Sequence, residues 1–340
     1  MYLGLRDIAA ARGRFSLITS VVALITLLLV MLTGLTGGLA DQNTSALKAL
    51  GPDRFVFGGE VSFTSSSITP QDEKAWQDAL GASSVVPLGV ASTRLQVPGD
   101  GQDALASVTL MGLPSGTAVP GGEVPARGVL LPDALGGTAD TVHLNHQPVA
   151  WADMDTWARM TGADGPSSPT VLMVSGDGPG GAVDDDRFDA VAEATGTTAV
   201  GVEDSFAGLP AYQSERGSLL AIQGLLYGIS ALVVVAFLSV WTIQRTRDIA
   251  VLRALGASTG YVVADAAVQA AVILAVGVIG GAALGGVLGA LAAGTVPFAV
   301  SAATFLLPPV GVFVLGMGGA LVAMRRVSTV DPHLALGASA

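Results

Sequence analysis

The sequence predicts an integral membrane protein of the α-helical class, with four transmembrane helices and an α+β extracytoplasmic domain between the first and second. Three observations predict it. Apolar residues make up 51% of the chain and charged residues only 13%, a composition far from that of a soluble domain. Charge is missing altogether from three long stretches, Phe15 to Ala40, Gly217 to Gln244 and Ala266 to Met324. The short segments that flank those stretches on one side of a four-span layout hold eight arginines and few acids, whereas the long segment 41–216 on the other side is acidic.

The first charge-free stretch is long enough for one span, because crossing the hydrocarbon takes about 20 residues. Residues 1–40 therefore read as a short cytoplasmic segment and span one. A cleaved signal peptide ending near Gly38-Leu-Ala40 is the competing reading, but the apolar run far exceeds the roughly 7–15 residues of a signal core.

Residues 41–216 carry 23 acids against 8 bases and form the external domain. Arg54 to Phe63 alternates like a strand interrupted by glycine. Thr69-Pro70, with Asp72 and Glu73 behind it, opens a helix: a hydroxyl cap, proline in the first turn and acids at the positive helix end. Segments around Ser84–Val97, Leu105–Leu113, Thr141–Val149 and Thr170–Val174 read as further strands, and Asp184–Ala194 as a helix. No repeat is visible. His143 and His146 make an HxxH, but three-residue spacing in a strand sends the pair to opposite faces, a poor arrangement for one metal. Asp184, Asp185 and Asp186 open a helix more simply than they grip calcium. No metal site is expected.

Span two follows at 217–243. Residues 244–258 are the cytoplasmic connection, and span three is placed at 259–293. Ser258 is its expected N-cap, and Gly277, Gly281, Gly285 and Gly289 repeat on nearly one face. Glycine permits close backbone approach in lipid, where packing drives helix association; span four, span two and a second protomer are the candidate partners. Gly294-Thr-Val-Pro297 breaks the third stretch, giving a short external loop at 294–301, span four at 302–324 and a cytoplasmic tail at 325–340.

Orientation follows from arginine. Arg6, Arg12, Arg14, Arg245, Arg247, Arg253, Arg325 and Arg326 share a side with only Asp7, Asp248 and Asp331, while the net charge of the whole chain is −11. Positive residues stay in the cytoplasm, so both termini are expected inside the cell membrane and 41–216 outside. The chain has no cysteine, which removes disulfides, covalent c-type haem attachment and thiolate metal sites. No basic run points to nucleic acid, and no nucleophile stands beside a base.

The connection 244–258 has more pattern than a solvated loop needs. As a helix over Gln244–Leu255 it sets Ile249, Leu252 and Leu255 along one stripe, leaves Arg245, Arg247, Asp248 and Arg253 for polar contacts, and ends at Gly256. Such a helix suits docking into a partner's groove.

Arg245-x-Arg-Asp-Ile-x-x-Leu-Arg-Ala-Leu-Gly-Ala-Ser258 resembles the loop after the second span of FtsX/MacB-like ABC transporter permeases. Arg325-Arg-Val-Ser-Thr-Val-Asp-Pro-His-Leu-Ala-Leu336 is similar to that family's tail, and the order of one span, external domain and three spans also matches. The resemblance implies a type VII ABC transporter-like fold and a permease homodimer bound to two copies of a separate ABC ATPase. ATP and magnesium would then be bound by that partner, with no cofactor in this chain. The sequence agrees: its only lysines, Lys48 and Lys74, follow leucine and glutamate, so no GxxxxGK[ST] phosphate loop exists. Arg245, Arg247, Asp248, Leu252, Arg253, Leu255 and Gly256 are the expected coupling residues.

The expected activity is export of a hydrophobic or amphipathic cargo, with haem the leading candidate because small relatives include haem exporters of the Hrt type. Met31 in span one and Tyr212, Glu215, Arg216 and Tyr227 around the start of span two have suitable chemistry: thioether, phenolate or carboxylate for iron, guanidinium for a propionate. The alternatives are export of lipid, peptide or lipoprotein, and an FtsX-like regulator that mechanically switches an external partner such as a cell-wall hydrolase.

Overall fold

A computed structural model describes residues 12–97, 104–162, 168–176, 185–244, 258–293 and 295–328. The chain divides into two units, one of residues 1–38 with 218–340 and one of 39–217.

Among the described residues, four helices are long and apolar enough to cross a membrane. Helix α1 spans Arg12–Leu50. In chain order, and after the elements of the external unit, the other three are α6 at Pro210–Gln244, α7 at Thr259–Ala292 and α8 at Ala302–Ser328. Helix α1 runs beyond the charge-free stretch to Leu50, and α6 begins at Pro210, ahead of it. Loss of charge marks where lipid contact starts; isolated acids and lysines do not end a helix. Ser258 caps α7 by accepting a hydrogen bond from the Tyr261 amide at 3.3 Å.

The core of the membrane unit is an apolar cluster that includes Ile18, Val22, Ile25 and Leu29 of α1, Val234 of α6, Ile273, Leu274 and Val278 of α7, and Val312 of α8. The glycine ladder meets α1, a partner outside the three the sequence suggested. A Cβ on Gly277 would lie 2.9 Å from Val22 and 3.0 Å from the Thr19 carbonyl; one on Gly281 would strike the Ala23 carbonyl and Thr26; one on Gly285 would reach Val30 at 2.9 Å. The fourth, Gly289, makes room for the Phe298 ring, which also fills the space at Gly34. The period-four ladder thus gives a flat face on which α1 lies backbone to backbone.

The external unit is α+β. Its strands are β1 (Arg54–Phe57), β2 (Val85–Val97), β3 (Ala104–Leu113), β4 (Ala118–Val119), β5 (Gly122–Glu123), β6 (Val129–Leu130), β7 (His143–Leu144), β8 (Gln147–Asp153), β9 (Val171–Val174) and β10 (Thr198–Val200). Its helices are α2 (Pro70–Leu80), α3 (Met154–Thr161), α4 (Asp185–Thr195) and the one-turn α5 (Val202–Ser205). The main sheet has the order β10-β1-β9-β2-β3-β8-β6, with β7 paired to β8. All its pairings are antiparallel except β3 with β8.

Alternation sorts the side chains onto two faces. Phe55, Phe57, Val171, Met173, Val149 and Trp151 join Ala46 and Leu47 of α1 in one cluster. Their neighbours face the other way: Val56, Leu172 and Val174 pack with Trp76 of α2 and Phe188 of α4, while Ala150 and Ala152 pack with Trp157 of α3. The Trp157 ring lies flat on Gly89 and the residue's Cβ on Gly112, where any added Cβ would sit 2.6 Å from it. Helix α2 carries the expected cap as a full capping box: the Asp72 amide donates to Thr69 Oγ1 at 3.2 Å and the Thr69 amide to Asp72 at 3.3 Å.

Two expectations need correction here. The strand expected from Arg54 stops at Phe57, because Gly58 has no room for a side chain against the Ser67 carbonyl and Gly59 turns with φ 111°. The segment Thr141–Val149 is a hairpin rather than a single strand: Asn145 and His146, with φ of 49° and 62°, form a two-residue turn between β7 and β8. Positive φ at both central positions is the geometry that continues the natural strand twist.

Candidate functional site

The turn carries His146 out of the sheet, and this reorganises the residues expected around the start of span two. The hairpin docks on the last turns of α1. The His146 amide donates to the Gln42 carbonyl at 3.0 Å and the Asn145 amide to the Asn43 carbonyl at 3.4 Å. The His143 amide donates to Ser45 Oγ at 2.8 Å, and that hydroxyl lies 3.3 Å from the His143 carbonyl.

Asn43 is almost fully buried, at 1% exposure. Its amide nitrogen lies 3.0 Å from Glu215 Oε2 and 3.0 Å from the Leu39 carbonyl. His146 Nε2 stands 2.8 Å from Glu215 Oε1 and 3.1 Å from the Asn43 amide nitrogen. The donors and acceptors can be assigned by chemistry. A carboxylate oxygen at 2.8 Å requires the proton on Nε2, so the Asn43 nitrogen spends its two hydrogens on Glu215 and Leu39. Nδ1 faces Gln42 Oε1 at 3.4 Å. Glu215 thus has each oxygen engaged by a different segment: its Oε1 by the hairpin turn, its Oε2 by the end of α1.

The neighbouring candidates are arranged differently. Tyr212 packs edge-on to Phe206 with ring centroids 5.6 Å apart, and the Arg216 guanidinium lies 5.7 Å above the Tyr212 ring. In the membrane unit Tyr227 rests on Gly311 of α8, 2.8 Å from where a Cβ would stand, and Met31 is half-buried on α1. One turn before Tyr227, Gln223 of α6 donates toward Thr33 Oγ1 at 3.3 Å and Thr36 Oγ1 at 3.5 Å of α1. The sequence points to Glu215 and singles out His146 only as a poor metal ligand in a strand, and it gives no sign of Asn43 or Gln223. The signal for the turn was Asn145, a residue depleted from strands and tolerant of left-handed backbone.

His143 is half-buried, and desolvation first, then the neighbouring His146, hold its imidazole below the ordinary histidine value. Of the three aspartates, Asp185 and Asp186 lie in the first turn of α4, and Asp185 pairs with Arg54 at 2.6 Å; Asp184 lies outside the described residues. Among the described residues no group of three histidine, aspartate or glutamate side chains is gathered to hold a metal ion. The coupling set Arg245, Arg247, Asp248, Leu252, Arg253, Leu255 and Gly256 also lies outside the described residues.

Comparison with known proteins bears on that stretch directly. Residues 220–332 match the family FtsX-like permease C-terminal. Over that third of the chain, the sequence is similar to FtsX-like permeases. The match takes in α6 from Leu220 onward, the connection 244–258, α7 and α8. The chain is 33% identical over 129 residues to the protein named "Putative hemin transport system permease protein HrtB" of Staphylococcus haemolyticus, covering 38% of this chain and 37% of that one. It is 33% identical over 120 residues to an uncharacterized ABC transporter permease of Mycobacterium tuberculosis, covering 35% and 34%. The matched region therefore spans little more than a third of these relatives' length. The periplasmic region of MacB from Actinobacillus actinomycetemcomitans overlays 46% of this chain and 92% of its own, at 14% identity and a TM-score of 0.31. Among the described residues the chain has four helices long and apolar enough to cross a membrane, with a sheet-rich unit between the first two.

Proposed function

We propose that this chain is the permease subunit of an ABC-type exporter, working as a homodimer with two copies of a separate ATPase. The observation that carries the proposal is the FtsX-like permease match over 220–332, because it includes the connection 244–258. In this reading both termini and the connection face the cytoplasm, and residues 41–216 face outward. Arg245, Arg247, Asp248 and Arg253 hold the ATPase surface while Leu252 and Leu255 enter its groove. ATP binding and hydrolysis bias a two-state permease, and α1 and α6 carry the motion outward.

Haem is the first cargo to test, supported by the likeness to the hemin-transport relative over part of the chain. Met31, Tyr212, Arg216 and Tyr227 supply the chemistry proposed for it. Glu215 fits that role less well, since His146 and Asn43 already engage both its oxygens. That engagement favours the second reading, in which the external unit is a mechanical relay that switches an external partner.

The deciding experiment titrates haemin into the purified, reconstituted chain. An exporter of haem gains a Soret band that weakens in Met31→Ala and raises ATP turnover of the co-assembled ATPase. Turnover that ignores haemin, lipid and peptides but answers to a cell-wall enzyme selects the relay instead.

A further inference from the structure

Three segments far apart in the chain converge on one carboxylate: the last turns of α1 through Asn43, the β7–β8 turn through His146, and the first turns of α6 through Glu215. We propose that these three residues form a releasable latch, which holds the ends of α1 and α6 to the hairpin and opens during the transport cycle. The cycle rests on the permease reading; the latch rests on the geometry alone.

The contact differs in kind from the packing around it. Ala46, Leu47, Phe206 and Leu209 nearby are buried and apolar, and separating them would expose hydrocarbon to water. The latch instead joins polar groups whose side chains remain 33% exposed at His146 and 37% at Glu215. Water can replace the His146–Glu215 bond as it breaks, so opening there exchanges one set of polar partners for another. An element that must cycle between two arrangements needs such an exchange.

The closed state also holds unspent potential for opening. Asn43 Oδ1 and Asn145 Oδ1 are buried with no hydrogen-bond donor, so closure leaves two amide oxygens unsatisfied that opening would hydrate. A permanent weld would be expected to satisfy them. Asn43 and His146 are accordingly positioning residues: they act on cargo movement through Glu215 and the helix it begins.

The test exploits the lack of any native cysteine. Asn43→Cys with Glu215→Cys places a thiol pair across the latch in the full chain, reconstituted with its ATPase in nanodiscs. Oxidation of the pair should form the crosslink and lower stimulated ATP turnover at least tenfold. Reductant should restore it, and each single cysteine variant should ignore the oxidant. Failure of the crosslink to form, or full turnover with it formed, overturns the releasable latch.

If neither the reduced pair nor the unaltered chain stimulates the ATPase, the permease reading fails, and the latch is then judged by heat. His146→Ala and Glu215→Ala should each lower the melting temperature, and the double variant should fall no further than the worse single one. Additive shifts would show that the two side chains act independently and dismiss the latch.

Discussion

Gly280 and Gly281 are chain neighbours with opposite surroundings, and they isolate what the glycine ladder does. A Cβ at Gly281 would meet the Ala23 carbonyl and, at 2.8 Å, the Thr26 side chain; at Gly280 it would meet nothing within 4 Å. Both lie inside α7, where alanine is intrinsically the better helix former by about 1 kcal/mol. Gly280→Ala should therefore leave thermal stability in detergent unchanged or slightly raised. Gly281→Ala should lower it by about 1–3 kcal/mol, the usual cost of forcing atoms into a filled contact. Equal melting temperatures for the two variants would show that α1 does not lie on this face.

His143 supplies a titration with a definite sign. Its imidazole is held below the ordinary value of 6.5 by desolvation and then by His146, so the unfolded chain binds this proton more readily than the folded one. Stability from His143 is complete above the unfolded value. It declines as pH falls from about 6.5 toward the depressed folded value, and is flat below that. Melting curves of the full chain between pH 8 and 5 should show this decline, and His143→Gln should reduce it. A decline of the same size in His143→Gln would assign it to other groups.

Among the elements, α2 is specified almost entirely by local chemistry. Thr69, Pro70 and Asp72 announce its start in the sequence, and the structure closes both hydrogen bonds of the capping box. Thr69→Ala should cost about 1 kcal/mol of external-unit stability, read as a drop in melting temperature, whereas Thr69→Ser should cost a fraction of that.

The same comparison explains what could be read ahead of the structure. The four membrane helices follow from missing charge, a strong signal because lipid tolerates so little of it. Strands β2, β3 and β9 follow from apolar alternation within a few residues of their ends. Helix α3 has local signals too, with Met154, Trp157 and Ala158 at helical spacing between an Asp153 cap and Gly162, and Trp157 then covers two glycines of separate strands, Gly89 and Gly112. The latch has no such signal. It joins positions 43, 146 and 215, and no local pattern in one chain reports a meeting across that separation.

Taken as one machine, the chain is divided by charge into two jobs. Acids gather in 41–216, and eight arginines gather in the connections proposed to face the cytoplasm. In the helix proposed for 244–258, Ile249, Leu252 and Leu255 would form an apolar stripe beside the arginines, for which a loop that only sets orientation has no use. A docked helix uses both: leucine for the buried anchor, arginine for charge complementarity around it. Replacing Leu252 and Arg253 together by alanine should then abolish stimulation of the partner's ATP turnover while the permease keeps its melting temperature. Leu252→Ala alone should weaken stimulation mainly through faster dissociation, and Arg253→Ala through slower, salt-sensitive association. Co-purification across a salt series separates the two effects. A double variant that still binds and drives the ATPase like the unaltered chain would move the coupling surface away from this connection.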